Sequence, residues 1–476
     1  MKKRYLVVVF ALAGIALCIF SCKKPKEVSS DPNISMKLTT EQLQGGTNGT
    51  ISLATSIAFG QPLPPLLSAD LINFTVGRTF FHTSWVVAPA STTADDGLGP
   101  LYNAISCNSC HVEDGRGRTP FSSTENLSSV IVRLSVAGVG NHGGPNPDPQ
   151  YGTQLRNHAI PNVTPDGSAT VTYTSKTVTY PDGTTATLRV PSYQFTNMRD
   201  GGISLFSPRI APQMPGMALL EAVPEATILS FITKYSTDSI TGRANYVWND
   251  EQQTTQIGRF GWKANQPTVR QQVAAAFSGD IGITSPIYPN PNLAGDALSL
   301  YGSLPNGSDT AGQPELPENF LDYAVFYAEA LAVPQRRDWT DATVVRGKTL
   351  FGLLSCNRCH IPEMQTGDFP AVPLASNQTI HPFTDLLLHD MGPDLADGRT
   401  DFLATGSEWR TPPLWGIGLA SLVNNGIGVF LMHDGRAQSV EEAILWHGGE
   451  ANQSKKEFMN LSKADRDALI KFVNDL

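Results

Sequence analysis

The chain has 476 residues, a formal net charge of −9 and only 16 % charged residues, against 42 glycines and 34 prolines. That length exceeds a single core and asks for two or three domains, and the acidic balance argues against nucleic acid as a partner. The Gly and Pro content excludes a simple helical bundle and points to a loop-rich body wrapped around something large and apolar.

At the N-terminus, Lys2, Lys3 and Arg4 precede the apolar run Tyr5–Phe20, which is short for a spanning helix. Ile19-Phe20-Ser21-Cys22 resembles a bacterial lipoprotein cleavage box, although Phe20 is bulky for it. Residues 1–22 are therefore read as a lipoprotein signal peptide and 23–60 as a tether. The alternative is an uncleaved signal anchor, and both place the body outside the cytoplasm. The expectation is an exported lipoprotein of a Gram-negative bacterium, on the periplasmic side or the outer membrane, anchored through Cys22.

A first unit is expected over 61–285. Phe74–Trp85 is an apolar, helical approach, and Gly97-Leu98-Gly99-Pro100 turns the chain ahead of Cys107. At about 161–200 the pattern changes to strands. Thr170–Tyr173 and Thr177–Tyr180 alternate β-branched and aromatic residues, and Pro181-Asp182-Gly183 turns into Thr185–Val190. Pro224 starts a helix with Glu225 in its first turn. Residues 286–316, rich in Pro, Asn, Gly and Ser, read as a linker to a second unit over 317–476. That unit opens with a helix near Glu318–Ala332, followed by one from Thr340, as N-cap, to Leu354. Ser462 caps a final helix that turns Leu469, Phe472, Val473 and Leu476 inward.

Two stretches carry the chemistry: Cys107-Asn108-Ser109-Cys110-His111 and Cys356-Asn357-Arg358-Cys359-His360. Each is a C-x-x-C-H run, the signal for covalent c-type haem attachment. Two thiols one turn apart add across two vinyl groups, and the adjoining imidazole reaches the iron. A structural zinc site is the bland alternative, but it needs the two pairs to meet across half the chain. The other cysteines, Cys18 and Cys22, leave no disulfide framework. Two covalently bound haem c groups imply electron transfer or peroxide chemistry. A helix before the motif and another closing the domain is how a cytochrome c module is built. The expected fold is thus mainly α: two cytochrome c-like haem domains with loop-rich connections and a small β insertion in the first.

Cys107–Pro120, Gly258–Ala264, Trp409–Leu419 and His433–Glu450 resemble the di-haem oxidoreductases. That family is distantly similar to bacterial di-haem cytochrome c peroxidases and to the di-haem enzyme that matures methylamine dehydrogenase. The resemblance covers nearly all of the chain after about residue 70. It implies that the C-terminal haem transfers electrons and takes its sixth ligand from a helix after the His433-Asp434-Gly435 motif. His447 stands there, opposite His360, where the peroxidases carry Met and the maturation enzyme Tyr. A second imidazole in place of a thioether lowers the potential. Met432, Met391 and Met459 are rival ligands, and His433 is read as a propionate contact or a turn histidine. His389 and His381 read as structural.

At the N-terminal haem the resemblance makes His111 the proximal ligand and asks for a glutamate base. Glu221 is the candidate, in an otherwise apolar run that raises its pKa; the competing reading is a buried, ion-paired structural role. His142 or His158 capping the iron instead would make a closed, electron-transfer haem. Arg116 and Arg118 are expected on haem propionates, and Trp262 is either a relay between the haems or a core residue. Relatives often carry a calcium-like acidic loop; here Ser236–Gly242 keeps one carboxylate, too few for the usual oxygen set. Calcium is thus not indicated, though backbone oxygens between the haem domains leave an ion open. The expected activity is a peroxidase: hydrogen peroxide is reduced at the N-terminal haem, with electrons from a small donor protein or quinol-linked donor entering through the C-terminal haem. The alternatives are a non-catalytic di-haem electron carrier and an oxidase of a protein or metal substrate.

Overall fold

The computed structural model describes residues 40–234, 239–307 and 312–476. The signal segment, Cys18, Cys22 and residues 23–39 of the expected tether lie outside the described residues, as does Asp238. No described helix is long and apolar enough to cross a membrane.

The helices that frame the core are α1 (Ser68–His82), α2 (Val269–Ala276), α3 (Glu318–Glu329), α4 (Ala342–Leu353), α5 (Val440–Trp446) and α6 (Lys463–Asp475). They do not make the protein mainly α, which corrects the expectation: 31 % of it is helix and 19 % strand. The strands fall into small sheets, mostly two-stranded. The physical reason is local. A helical period holds over a few segments, while between them Thr, Val, Pro and Gly favour short ladders that satisfy buried backbone donors and acceptors.

α1 and α3 cross in contact because Gly77 has no side chain. A Cβ there would lie 2.0 Å from the Tyr323 carbonyl oxygen. Leu321, Ala324 and Ala328 of α3 thereby join Phe74 and Phe81 of α1 in one core. α3 therefore packs with the first motif, although a boundary at 317 assigns it to the second unit. The packing changes partner only near Val333–Pro334, which pairs in parallel with Thr50–Ile51. Beyond it, α4 and α6 share the second core, where Leu469, Phe472, Val473 and Leu476 are buried as expected. Asp341, not Thr340, caps α4, accepting from the N–H of Thr343 at 2.8 Å and Val344 at 3.1 Å. Ser462 caps α6 through the N–H of Asp465 at 3.2 Å.

Folded chain begins earlier than residue 60, a second correction. Gln44 Nε2 donates to the carbonyls of Pro334 at 3.0 Å and Leu476 at 2.7 Å, and Phe59 is fully buried. These polar and aromatic anchors lie in a stretch whose composition alone resembles a tether. The β insertion is one hairpin, β1 (Ser168–Thr179) with β2 (Thr185–Thr196), in register from Ser168–Thr196 to Thr179–Thr185. It emerges from the first unit but packs on the second. Val171, Tyr180 and Leu188 enter the core of α4 and α6, Tyr180 Oη donates to Glu441 at 2.7 Å, and Arg466 pairs with Asp182 at 2.8 Å.

At the base of that hairpin Asp166, fully buried, accepts from Arg156 Nε at 2.7 Å and Arg199 Nη2 at 2.9 Å. Arg156 also donates to the carbonyl of Asn292, which ties in the 286–316 segment. Asp166→Ala leaves the buried Arg156 without a carboxylate, while Arg199 keeps its pair with Asp296, and is expected to cost ~3–5 kcal/mol. Denaturant unfolding measures this; a loss below ~1 kcal/mol would show the pair to be worth no more than a surface one.

Candidate functional site

Both C-x-x-C-H runs fold alike. Cys107–Ser109 and Cys356–Arg358 each form one 3₁₀ turn, and the following His N–H bonds back to the first Cys carbonyl at 3.0 Å. His111 Nδ1 lies 2.7 Å from the Pro212 carbonyl and His360 Nδ1 lies 3.0 Å from that of Phe383. A carbonyl can only accept, so Nδ1 carries the proton and Nε2 is left with its lone pair for a metal. A phenylalanine from the preceding helix flanks each imidazole, Phe81 at 6.2 Å and Phe351 at 6.1 Å between ring centres. None of the four cysteines is in a disulfide, and burial pushes the Cys107 and Cys356 thiols up to about 12. The two pairs line separate cavities, so the four-thiolate zinc alternative has no site among the described residues.

The C-terminal cavity is lined by His360, His447, His433, Trp409, Met391 and Met432, among others. α5 ends at Trp446 and hands His447 to the cavity, its Nδ1 donating to the Ala443 carbonyl at 2.7 Å. The rings of His360 and His447 are 6.4 Å apart, centre to centre. Two imidazoles on opposite sides of one metal need about 2 Å of metal–nitrogen bond each plus the depth of each ring, which this separation provides. His433 stacks on Trp409 at 3.7 Å, 8° from parallel, and burial pushes it down to about 4, so it is neutral.

The N-terminal cavity differs. Among the described residues, His111 is the one histidine that lines it. His142 stacks on Trp248 at 3.9 Å and His158 on Tyr102 at 5.6 Å, both away from the cavity. Glu221 is not brought in either. It lines a separate cleft of about 470 Å³ with Arg270 and Glu329, and accepts from the Val269 N–H at 2.7 Å. Burial does raise its pKa, but its neighbour Leu220 is the residue that faces the cavity. The carboxylate that lines the cavity is Asp280, within a π-helical turn, Phe277–Ile281; such turns recur at functional sites. Gln154 Nε2 donates to Asp280 at 2.8 Å, and Arg133, Gln266 and Gln272 line the same space.

Trp262, Arg116 and Arg410 line both cavities. Trp262 Nε1 donates to the Ile210 carbonyl at 2.8 Å. The next residue, fully buried Lys263, bonds Asp397 at 2.8 Å and locks the segment. Arg116 is buried, its Nη1 has no hydrogen-bond partner, and burial pushes it down to about 10. Arg410 is pushed to about 10 by burial and by Arg116. Two adjacent buried guanidiniums without a hydrogen-bonded carboxylate call for an anion. Haem propionates are such anions, and two C-x-x-C-H cavities meeting at these arginines fit a pair of haems. Arg118 is spent elsewhere, on Glu125 at 2.5 Å and over the ring of Phe121.

A family model described as "Di-haem oxidoreductase, putative peroxidase" matches residues 39–476. The chain belongs to this family. No match was found among curated proteins or among solved structures. As a di-haem oxidoreductase it uses haem cofactors. Arg410 and Asp280, which line these cavities, are the two residues that sequence reasoning did not single out. Arg410 sits inside the Trp409–Leu419 stretch that carries the family likeness; nothing local in the sequence marks Asp280.

Beside the second motif, His389 is clamped between Asp385, 2.7 Å from Nε2, and Glu450, 2.8 Å from Nδ1. Cys359, Asp385 and His389 lie close enough to hold a metal, but the sulfur belongs to the haem motif and both ring nitrogens are engaged. Glu450 also accepts from Thr241 N–H at 2.9 Å and Oγ1 at 3.0 Å. The described part of the calcium-like loop thus presents donors to a carboxylate, the wrong polarity for a cation. Burial opposes the charge on His389, yet Asp385 and its other neighbours hold its pKa well above 6.5. Although burial works the other way, His389 and Thr241 bring Glu450 down from 4.5 to about 2. A raised histidine pKa stabilises fully below 6.5 and is lost as pH rises through the folded value; the lowered glutamate stabilises above 4.5 and is lost toward 2. The melting temperature is therefore expected to peak between these limits and fall on the alkaline side. His389→Gln should flatten that fall; an unchanged profile would show that the clamp is not charged.

Proposed function

We propose that this di-haem oxidoreductase reduces hydrogen peroxide in the N-terminal cavity, with electrons entering through the C-terminal one. Haem attached through Cys107 and Cys110, and through Cys356 and Cys359, supplies the one-electron chemistry that side chains lack. His111 and His360 would hold the irons through Nε2, and His447 would supply the second imidazole at the C-terminal site. Arg116 and Arg410 neutralise propionates, and His433 orients the C-terminal group from its stack on Trp409. Asp280 takes and returns the peroxide proton, and Arg133 offsets the charge that develops as the O–O bond breaks. Trp262 lies on the path between the cavities and shortens the electron's route. Anchoring through Cys22 places the body at a membrane outside the cytoplasm, within reach of a small donor protein or a quinol-linked donor.

One observation carries this reading: His447 faces His360 at 6.4 Å, whereas His111 is the one imidazole lining its cavity among the described residues. One site is built to store an electron and the other to admit a small ligand. Optical and EPR spectra of the purified holoprotein, oxidised and half-reduced, with and without cyanide or peroxide, test it. One high-spin, cyanide-binding haem beside one low-spin bis-imidazole haem is expected. Two low-spin haems that ignore peroxide in every redox state would leave an electron carrier.

A further inference from the structure

Beside the first haem motif lies a buried phenol–carboxylate pair that this reaction does not use. Tyr327 of α3 and Asp114 are both fully buried. Tyr327 Oη lies 2.9 Å from each carboxylate oxygen of Asp114, the phenol donating. Two glycines make room for the pair. A Cβ at Gly60 would lie 2.7 Å from Asp114 Oδ2, and one at Gly77 would lie 2.8 Å from Tyr327 Cβ. Glu113 and Asp114 both take left-handed backbone, φ 49° and 60°, so the chain reverses directly after His111. The Phe81 ring then bridges the pair to the motif, 5.2 Å from Tyr327 and 6.2 Å from His111 between centres.

A buried tyrosine needs only an acceptor, and a backbone carbonyl would serve. A carboxylate is far more costly to bury, and Asp114 has no hydrogen-bonded cation to offset that cost. A phenol held on a buried base, one aromatic ring from a haem ligand, is what proton-coupled oxidation of tyrosine requires.

We propose that Tyr327 donates one electron to the N-terminal site, with Asp114 receiving its proton. The phenol O–H bond breaks, its electron leaves by way of Phe81 and His111, and its proton forms an O–H bond on Asp114, leaving a neutral phenoxyl radical. The natural oxidant is hydrogen peroxide, so the inference rests on the peroxidase reading. Peroxide takes up two electrons and two solvent protons to give two water molecules. Tyr327 supplies one of those electrons when the C-terminal site is already oxidised, and the haem pair supplies the other. Reduction by the external donor, with return of the Asp114 proton, restores the phenol.

The test mixes the fully oxidised holoprotein with hydrogen peroxide and, separately, with hexachloroiridate(IV), a one-electron oxidant that needs no peroxide chemistry, and freezes each for EPR. A tyrosyl radical is expected in both. It should vanish in Tyr327→Phe, which keeps the ring packing, and drop sharply in Asp114→Asn, which keeps an acceptor oxygen but cannot take the proton. A Tyr327-dependent radical with hexachloroiridate alone would uphold the inference, while a half-reduced protein that also fails to turn over peroxide would separately sink the peroxidase reading. A radical that survives Tyr327→Phe, or none with either oxidant, overturns it, and so does an undiminished signal in Asp114→Asn. Should Tyr327→Phe not fold, Asp114→Asn carries the test; a purely structural pair would alter melting temperature without altering the radical yield.

Discussion

His447→Met is expected to raise the midpoint potential of the C-terminal haem by on the order of 100–300 mV, a fraction of the ~0.8 V that axial ligands span. Thioether ligation favours the reduced iron relative to a second imidazole. The position allows the exchange, because His447 begins where α5 ends and its one side-chain hydrogen bond is to its own helix, at Ala443. His447→Ala should go further and convert the low-spin signal to a high-spin one that binds cyanide, unless Met391 or Met432, which line the same cavity, moves in. Potentiometry with optical detection separates these results. An unchanged potential and a retained bis-imidazole spectrum in His447→Ala would remove His447 from the iron.

Asp280→Asn is expected to lower kcat for peroxide reduction by roughly 10²–10⁴-fold, the range for loss of a positioned general acid–base group. The substitution keeps an oxygen for the Gln154 Nε2 donor at 2.8 Å, so the turn around Phe277–Ile281 stays in place. Haem content and melting temperature should therefore hold while turnover falls. Glu221→Gln provides the contrast, since its carboxylate faces the cleft with Arg270 and Glu329. That variant should stay within a few-fold of wild type. The opposite ranking in steady-state assays would return the acid–base role to Glu221 and require protons to cross from that cleft.

Glu221 shows why this part of the site was not legible. Its signal, an acid in an apolar run, correctly indicates burial, and its pKa is raised. Burial has a direction that the run does not encode. Successive helical residues point about 100° apart, so Leu220 faces the haem cavity while Glu221 faces another space. Arg118 misled in a similar way. It is as near the motif in sequence as Arg116, but Glu125 claims it, while Arg116 is left buried with an unpartnered Nη1. The mainly-α expectation failed because helix caps and apolar periods are strong signals and short ladders are weak ones. The hairpin's strands and turn were legible, but not the fact that they grip the second unit through Tyr180, Arg189 and Asp182.

What the sequence by itself determined is what local chemistry requires. Two thiols and an imidazole at fixed spacing are the local signal for haem attachment, and a Ser or Asp ahead of an amphipathic run is enough to start a helix. The tertiary structure alone decided which residues share a cavity: Arg116 with Arg410, Asp280 with His111, and Tyr327 with Asp114. Each of those pairs joins residues far apart in the chain. They meet because helices, glycine contacts and buried charges must all be satisfied at once, and no single segment carries that information.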